Sequence, residues 1–188
     1  MANPIVERIL AGGFAFFLEA GTTVDSITVA AETVANPPAG KPDTTPTTNW
    51  TALGDVESAK FSTVTAEEKY LVPVAYGGYD EQIEKRVIAD LLEIKIQQAN
   101  EFVHRLASGA ASVITQGTAQ AAHTVRDRKL TGWLRLQARR QAGTDLFVLD
   151  WWAEMRLKDV PEISDKTWRP VLEFRKLYST LNAVNYPA

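Results

Sequence analysis

The chain has 188 residues, 45% of them hydrophobic, a formal net charge of -3 and no cysteine. That length fits one domain around a single sizeable core, and the small acidic surplus excludes the broad basic field of a dedicated nucleic-acid or membrane binder. Without cysteine there is neither a disulfide framework nor a thiolate metal site.

The first apolar run, "ILAGGFAFFLEAG" from Ile9 to Gly21, is too short to span a bilayer. It has Glu7 and Glu19 at its edges and lacks the basic leader of a secretory signal. A buried strand in a soluble, untargeted protein is the simpler expectation. Residues 30–49 then change character. "AAETVANPPAGKPDTTPTTN" is rich in Pro and Thr, has little apolar periodicity and is longer than the connections of compact domains. It is expected to be an extended loop, either a floppy linker or an arm that orders against another subunit. Asn36, Pro37, Pro38, Lys41 and Pro42 are its candidate contact residues.

The stretch "GGYDEQIEKRVIADLLEIKIQQANEFVHRLASG", from Gly77 to Gly109, admits two readings. As a helix it places Ile83, Val87, Ile88, Leu91 and Ile94 on one side at helical spacing. As a strand it places Ile88, Leu92, Ile94 and Ile96 on one face, broken only by Asp90, with Glu93, Lys95 and Gln97 on the other. The isoleucines lean toward a strand, but periodicity leaves both readings open. After it, Asn100 has the chemistry of an N-cap for a short helix through "EFVHRLAS", with Phe102 and Leu106 on one face and Gly109 as its stop.

Between Arg126 and Arg140 the charge is strongly positive: Arg126, Arg128, Lys129, Arg135, Arg139 and Arg140 are opposed only by Asp127. This is either a solvated strand face whose edge is guarded by charge or a basic patch that docks on an acidic neighbour. "GWLRLQARRQ" alternates Leu134, Leu136 and Ala138 against Trp133, Arg135, Gln137 and Arg139. "LFVLDWWAEMRLKDV" alternates Phe147, Leu149, Trp151, Ala153, Met155 and Leu157 against polar residues and Trp152. With turn chemistry in "AGTD" between them, the two predict an antiparallel hairpin. "TWRPVLEFRKLYS" alternates again, with Pro170 near its start, where a missing donor is tolerated.

The chemistry of catalysis is thin. His104 and His123 are the only histidines, and neither belongs to a nucleophile–base pattern. No acidic run has calcium-loop spacing, no paired-histidine motif exists, and Gly12-Gly13 and Gly77-Gly78 lack the pattern of a phosphate-binding loop. "NWT" at Asn49 fits a glycosylation acceptor, a triplet common by chance. A non-enzymatic protein without cofactor or metal is expected.

Three segments carry a family resemblance: "WTALGDVESAKFSTVTAEEKYLVP" from Trp50 to Pro73, the stretch from Gly77 to Gly109, and "FVLDWWAEMRLKDVPEISDKTWRPVLEFRKL" near the end. In this order, within Ile9 to Leu177, they resemble the tail tube, or major tail, proteins of long-tailed bacteriophages. The resemblance implies an antiparallel β-sandwich or barrel with one short flanking helix, built into hexameric rings that stack around a channel for DNA. It implies a strand for the ambiguous stretch and makes Glu93, Lys95 and Gln97 candidates for lining the channel. The implied partners are further copies of the chain, a tape-measure protein and tail-end proteins, with DNA only in transit and no membrane. The implied location is the virion tail, or the host cytoplasm during assembly. Contractile tails and type VI secretion systems use related tubes and are an alternative. A carbohydrate-binding or adhesive β-sandwich is another, with Trp133, Trp151 and Trp152 as its candidate exposed aromatics. A jelly-roll enzyme is disfavoured by the missing acid–base and metal groups.

Overall fold

A computed structural model describes residues 10–33, 50–97, 99–108, 129–140, 145–158 and 168–185. Its elements are β1 (Leu10–Glu19), β2 (Thr23–Val24), β3 (Ile27–Thr28), β4 (Thr51–Val74), β5 (Gly78–Ile96), α1 (Glu101–Ser108), β6 (Lys129–Arg140), β7 (Asp145–Leu157), β8 (Val171–Lys176) and β9 (Ala183–Asn185). The fold is mainly β with one short helix.

The main sheet has the order β6-β1-β4-β5-β8-β7-β9, and β6 also pairs with β7. That extra pairing closes β6-β1-β4-β5-β8-β7 into an antiparallel barrel, which removes the edges of the paired region. β9 adds to β7 over Val148–Asp150, while β8 occupies the same side of β7 over Ala153–Leu157.

Strand alternation explains the core. Ala15 and Phe17 of β1, Leu92, Ile94 and Ile96 of β5, Leu134 and Leu136 of β6, Leu149, Ala153 and Met155 of β7, and Leu172 and Phe174 of β8 all belong to one buried cluster. A second cluster lies on the opposite side of β1, where Phe16 and Leu18 pack with Val24, Val29, Trp50, Trp133 and Trp152. β1 is therefore buried on both faces, which accounts for a run that is continuously apolar rather than alternating. At Gly132 a Cβ would stand 2.2 Å from the Leu18 carbonyl oxygen, so β6 and β1 approach each other there as closely as they do because that residue has no side chain.

The helix is set by its cap. Asn100 Oδ1 accepts the Val103 N–H at 3.0 Å, while its Nδ2 donates to the carbonyls of Ala52 and Leu53, both at 3.0 Å. The same side chain thus starts α1 and ties it to β4. Phe102, Val103 and Leu106 enter the first cluster, with the Phe102 ring 6.1 Å from that of Phe17. On the outer side Arg105 meets Glu19 at 3.0 Å.

The ambiguous stretch is strand β5 up to Ile96. Leu92, Ile94 and Ile96 are fully buried, but Ile88 is 53% exposed and does not share their face. Ala89 pairs with Val64 and Val87 with Thr65, leaving Ile88 as the extra residue of a bulge. One inserted residue reverses the alternation beyond it. The tryptophans also differ from an exposed aromatic row: Trp133 is 1%, Trp151 6% and Trp152 8% exposed.

Candidate assembly interface

The longest strands leave the barrel together. β4 has 24 residues and β5 has 19, yet β1 pairs with β4 only as far as Val56 and β8 with β5 only as far as Leu91. Beyond those points β4 and β5 continue as a two-stranded hairpin down to the pair Val74 and Gly78. Among the described residues no other strand lies along either outer edge of this extension. The turn at its tip contains Tyr76 at φ 91 and Gly77 at φ 79, left-handed backbone that glycine adopts readily and tyrosine adopts only under constraint.

Register assigns the faces of the hairpin. Phe61 lies opposite the core residue Leu92, and the same face continues through Thr65 with Val87, Lys69 with Ile83, Leu71 with Glu81 and Pro73 with Tyr79. On it Phe61, Leu71, Tyr79, Ile83 and Val87 are all more than half exposed, interspersed with the ion pairs Lys69–Glu81 and Lys85–Glu67, each 2.8 Å. The other face carries Glu68 opposite Glu84 and Tyr70 opposite Gln82. There the Tyr70 hydroxyl donates to Glu84, a bond that raises the phenol's pKa above its ordinary value.

Where β8 stops, a groove of about 480 Å³ opens beside β5. Val87, Ile88 and Asp90 form one wall, Lys176 and Tyr178 the other. Tyr178 is 84% exposed. A second cavity, about 330 Å³, lies at the root of the hairpin between Gly13, Val56, Ala59, Phe61, Ala138 and Phe147.

Glu93 and Lys95 lie on the side of β5 opposite the buried isoleucines. Glu93 accepts from Lys158 Nζ at 2.5 Å, and this hydrogen bond holds its carboxyl below the ordinary range. Glu93 also faces Lys60 on one side and Glu173 on the other, and Glu173 in turn meets Arg156 at 2.6 Å. Lys95 and Arg169 share Glu57, at 3.4 and 3.2 Å. This wall of the barrel is consequently a lattice of paired opposite charges rather than a field of one sign. Gln97 lies past the end of β5, exposed beside the root cavity, its N–H donating to the Asp55 carbonyl at 3.0 Å.

The basic candidates are dispersed among partners. Lys129 meets Glu154 at 3.3 Å, Arg135 grips Asp150 with two 2.7 Å contacts, and Arg139 stands over the Phe14 ring at 5.2 Å. Arg126 and Arg128 lie outside the described residues, as do Asn36, Pro37, Pro38, Lys41 and Pro42 of the expected arm, Asn49 and His123. The described root of that arm is clipped to the body. Trp133 Nε1 donates to the carbonyls of Ala30 and Thr33 at 2.9 and 3.2 Å, and the Ser179 hydroxyl donates to Ala31 O at 2.5 Å.

His104 is exposed, its ring 5.8 Å from that of Trp168. Among the described residues no group of three or more His, Asp or Glu side chains could hold a metal, and no helix is long and apolar enough to cross a membrane. The hairpin's length and its two edges, open among the described residues, were the features that sequence reasoning missed. The signal available was the turn "AYGGY" flanked by two runs of similar length and β propensity. No protein-family model and no curated protein sequence matches the chain.

Proposed function

We propose that the chain is a structural subunit of a bacteriophage tail tube, assembling into rings that stack around a channel for DNA. The observation that carries this is the hairpin extension of β4 and β5. An isolated two-stranded hairpin is at best marginally stable in water, and this one exposes Phe61, Leu71, Tyr79, Ile83 and Val87 together with two strand edges that no other strand among the described residues pairs with. Exposed edges of this length are templates for pairing with another chain. Copies related by rotation about an axis near the strand direction present the outer edge of one β5 to the outer edge of the next β4, in antiparallel sense. A ring of such hairpins therefore continues the up-and-down alternation without a fault and closes without an edge.

The paired charges around Glu93 and Lys95 suit a channel wall that DNA passes without sticking, since each unpaired cation would hold a phosphate. The sequence resemblance to tail tube proteins supports the same assignment, with a tape-measure protein and tail-end proteins as further partners and the virion tail as location. The adhesive alternative loses its binding surface, because Trp133, Trp151 and Trp152 are buried. Mass measurement and negative-stain imaging over a concentration series test the proposal. Rings or tubes are expected; a chain that stays monomeric at every concentration, at every salt and with other tail components added overturns it.

A further inference from the structure

We infer that the mouth of the barrel, at the root of the hairpin, is a binding site for a medium-chain fatty acid, a single acyl chain with an anionic head. The site lies within one subunit and does not depend on the tube assignment.

One layer of the barrel is short of side chains. Phe147, Ala138, Gly13, Val56 and Ile96 are successive partners across β7, β6, β1, β4 and β5. The layer beneath is filled by Leu149, Leu136 and Ala15, which pair in the same way. The layer at the hairpin root has only a methyl group at Ala138 and nothing at Gly13, where a Cβ would stand 2.6 Å from the Gln137 carbonyl oxygen. Small barrels fill their interior with side chains; here the unfilled volume is the cavity of about 330 Å³. Ala59 faces it from β4, opposite the core residue Ile94, and is exposed. Phe61 closes one side, its ring edge-on to that of Trp151 with centroids 5.8 Å apart.

Three register shifts surround this mouth. β1 carries an extra residue between Leu10 and Gly12, β4 carries one at Glu57, and β7 carries one between Asp145 and Phe147. Bulges collect at barrel rims and beside functional sites because each bends its strand and re-aims a side chain. Three of them at one end splay the rim and hold the cavity open.

The lining selects the guest. Val56, Phe61, Leu136 and Phe147 present hydrocarbon, and a volume at the small end of ligand pockets admits one slender apolar chain. The bulge of β4 supplies the polar end. Glu57 lines the cavity, and its carboxylate is shared by Lys95 at 3.4 Å and Arg169 at 3.2 Å. Two cations on one carboxylate leave a positive charge over, and all three side chains are accessible to solvent. A guest's carboxylate at the mouth pairs with that surplus and stays hydrated, while its tail enters the apolar interior.

The probe is decanoate bearing a terminal diazirine, irradiated with the full-length chain below the concentration at which it forms micelles. Labelled peptides are mapped by mass spectrometry, which reads single subunits and assemblies alike. Saturable labelling is expected within residues 56–61, within residues 136–138 or at Phe147. Plain decanoate should displace the probe about tenfold better than decanol, which has the same tail without the charge. Ala59→Leu fills the cavity from an exposed position and should abolish the label while its circular dichroism stays that of the parent. Arg169→Gln should leave decanoate no better a competitor than decanol. Labelling that never saturates, that falls along the hairpin beyond Thr63, or that survives in folded Ala59→Leu overturns the site. Equal displacement by decanoate and decanol in the parent overturns the anionic head. Should Ala59→Leu fail to fold, the peptide map of the parent decides alone.

Discussion

Glu68 and Glu84 face each other directly across the hairpin, and the hydroxyl of Tyr70 bridges to the second of them. Opposed like charges weaken a strand pair, so Glu68→Lys is expected to slow hydrogen exchange of the hairpin amides in the isolated subunit. Faster exchange would contradict the register. The phenol tests the same contact from the alkaline side. Its pKa is raised by the hydrogen bond to Glu84, so the contact's contribution is fully present below the ordinary value of 10.0 and is lost as pH rises through the folded value. The difference absorbance titration between the parent and Tyr70→Phe should have its midpoint above 10.0, and Glu84→Gln should move it back.

On the barrel wall the sign is opposite. Glu93 is held below its ordinary value of 4.5, first by the hydrogen bond from Lys158, so the pair contributes above 4.5 and loses its contribution as pH falls through the folded value. Glu93→Gln should melt slightly below the parent at neutral pH, and the gap should narrow on acidification below 4.5. The effect is small because the pair is near solvent. A gap that widens in acid would show that the contact is not the cause.

The reversal of faces at the bulge separates two isoleucines six residues apart. Ile94 is fully buried, and Ile94→Asp places a carboxylate in the core without a partner, at a cost of several kcal/mol, which should prevent folding. Ile88→Asp should leave the subunit folded, with a melting temperature close to the parent's, because the residue is half exposed. Equal damage from both would place Ile88 in the core and remove the bulge. Circular dichroism of the two purified variants decides between these outcomes.

Trp133 joins the second hydrophobic cluster to the root of the Pro/Thr-rich segment. Trp133→Phe keeps much of the apolar volume but removes the indole N–H shared by the carbonyls of Ala30 and Thr33, which then keep only their mutual backbone bonds, with an expected cost of about 0.5–1.5 kcal/mol. Proteolysis should then cut sooner near Ala30. Gly132→Ala should be worse, since its new methyl meets backbone rather than a yielding side chain. A Gly132→Ala variant as stable as the parent would rule out the close approach of β6 to β1.

Local chemistry in the sequence determined the parts that depend on a few neighbouring residues. Asn100 is a cap because its side chain reaches the Val103 amide whatever the rest of the chain does. The alternation from Leu149 to Met155 is a strand with one buried face because successive side chains point in opposite directions. The short stretch holding Leu92, Ile94 and Ile96 could be read either way by period alone, and the face they share was legible only once it was taken as a strand. What the sequence could not decide was which strands meet. Barrel closure depends on β6 pairing with both β1 and β7, and the burial of Trp133 and Trp152 on the far side of that sheet follows from β1 being covered twice. The bulge at Ile88 exists only relative to its partner strand, since an inserted residue is defined by what fails to pair with it. The edges beyond Val56 and Leu91, open among the described residues, are likewise a property of where β1 and β8 end. Pairing across long sequence separations is settled by the whole packed structure, and only that structure reveals how far β4 and β5 continue beyond the barrel they help to close.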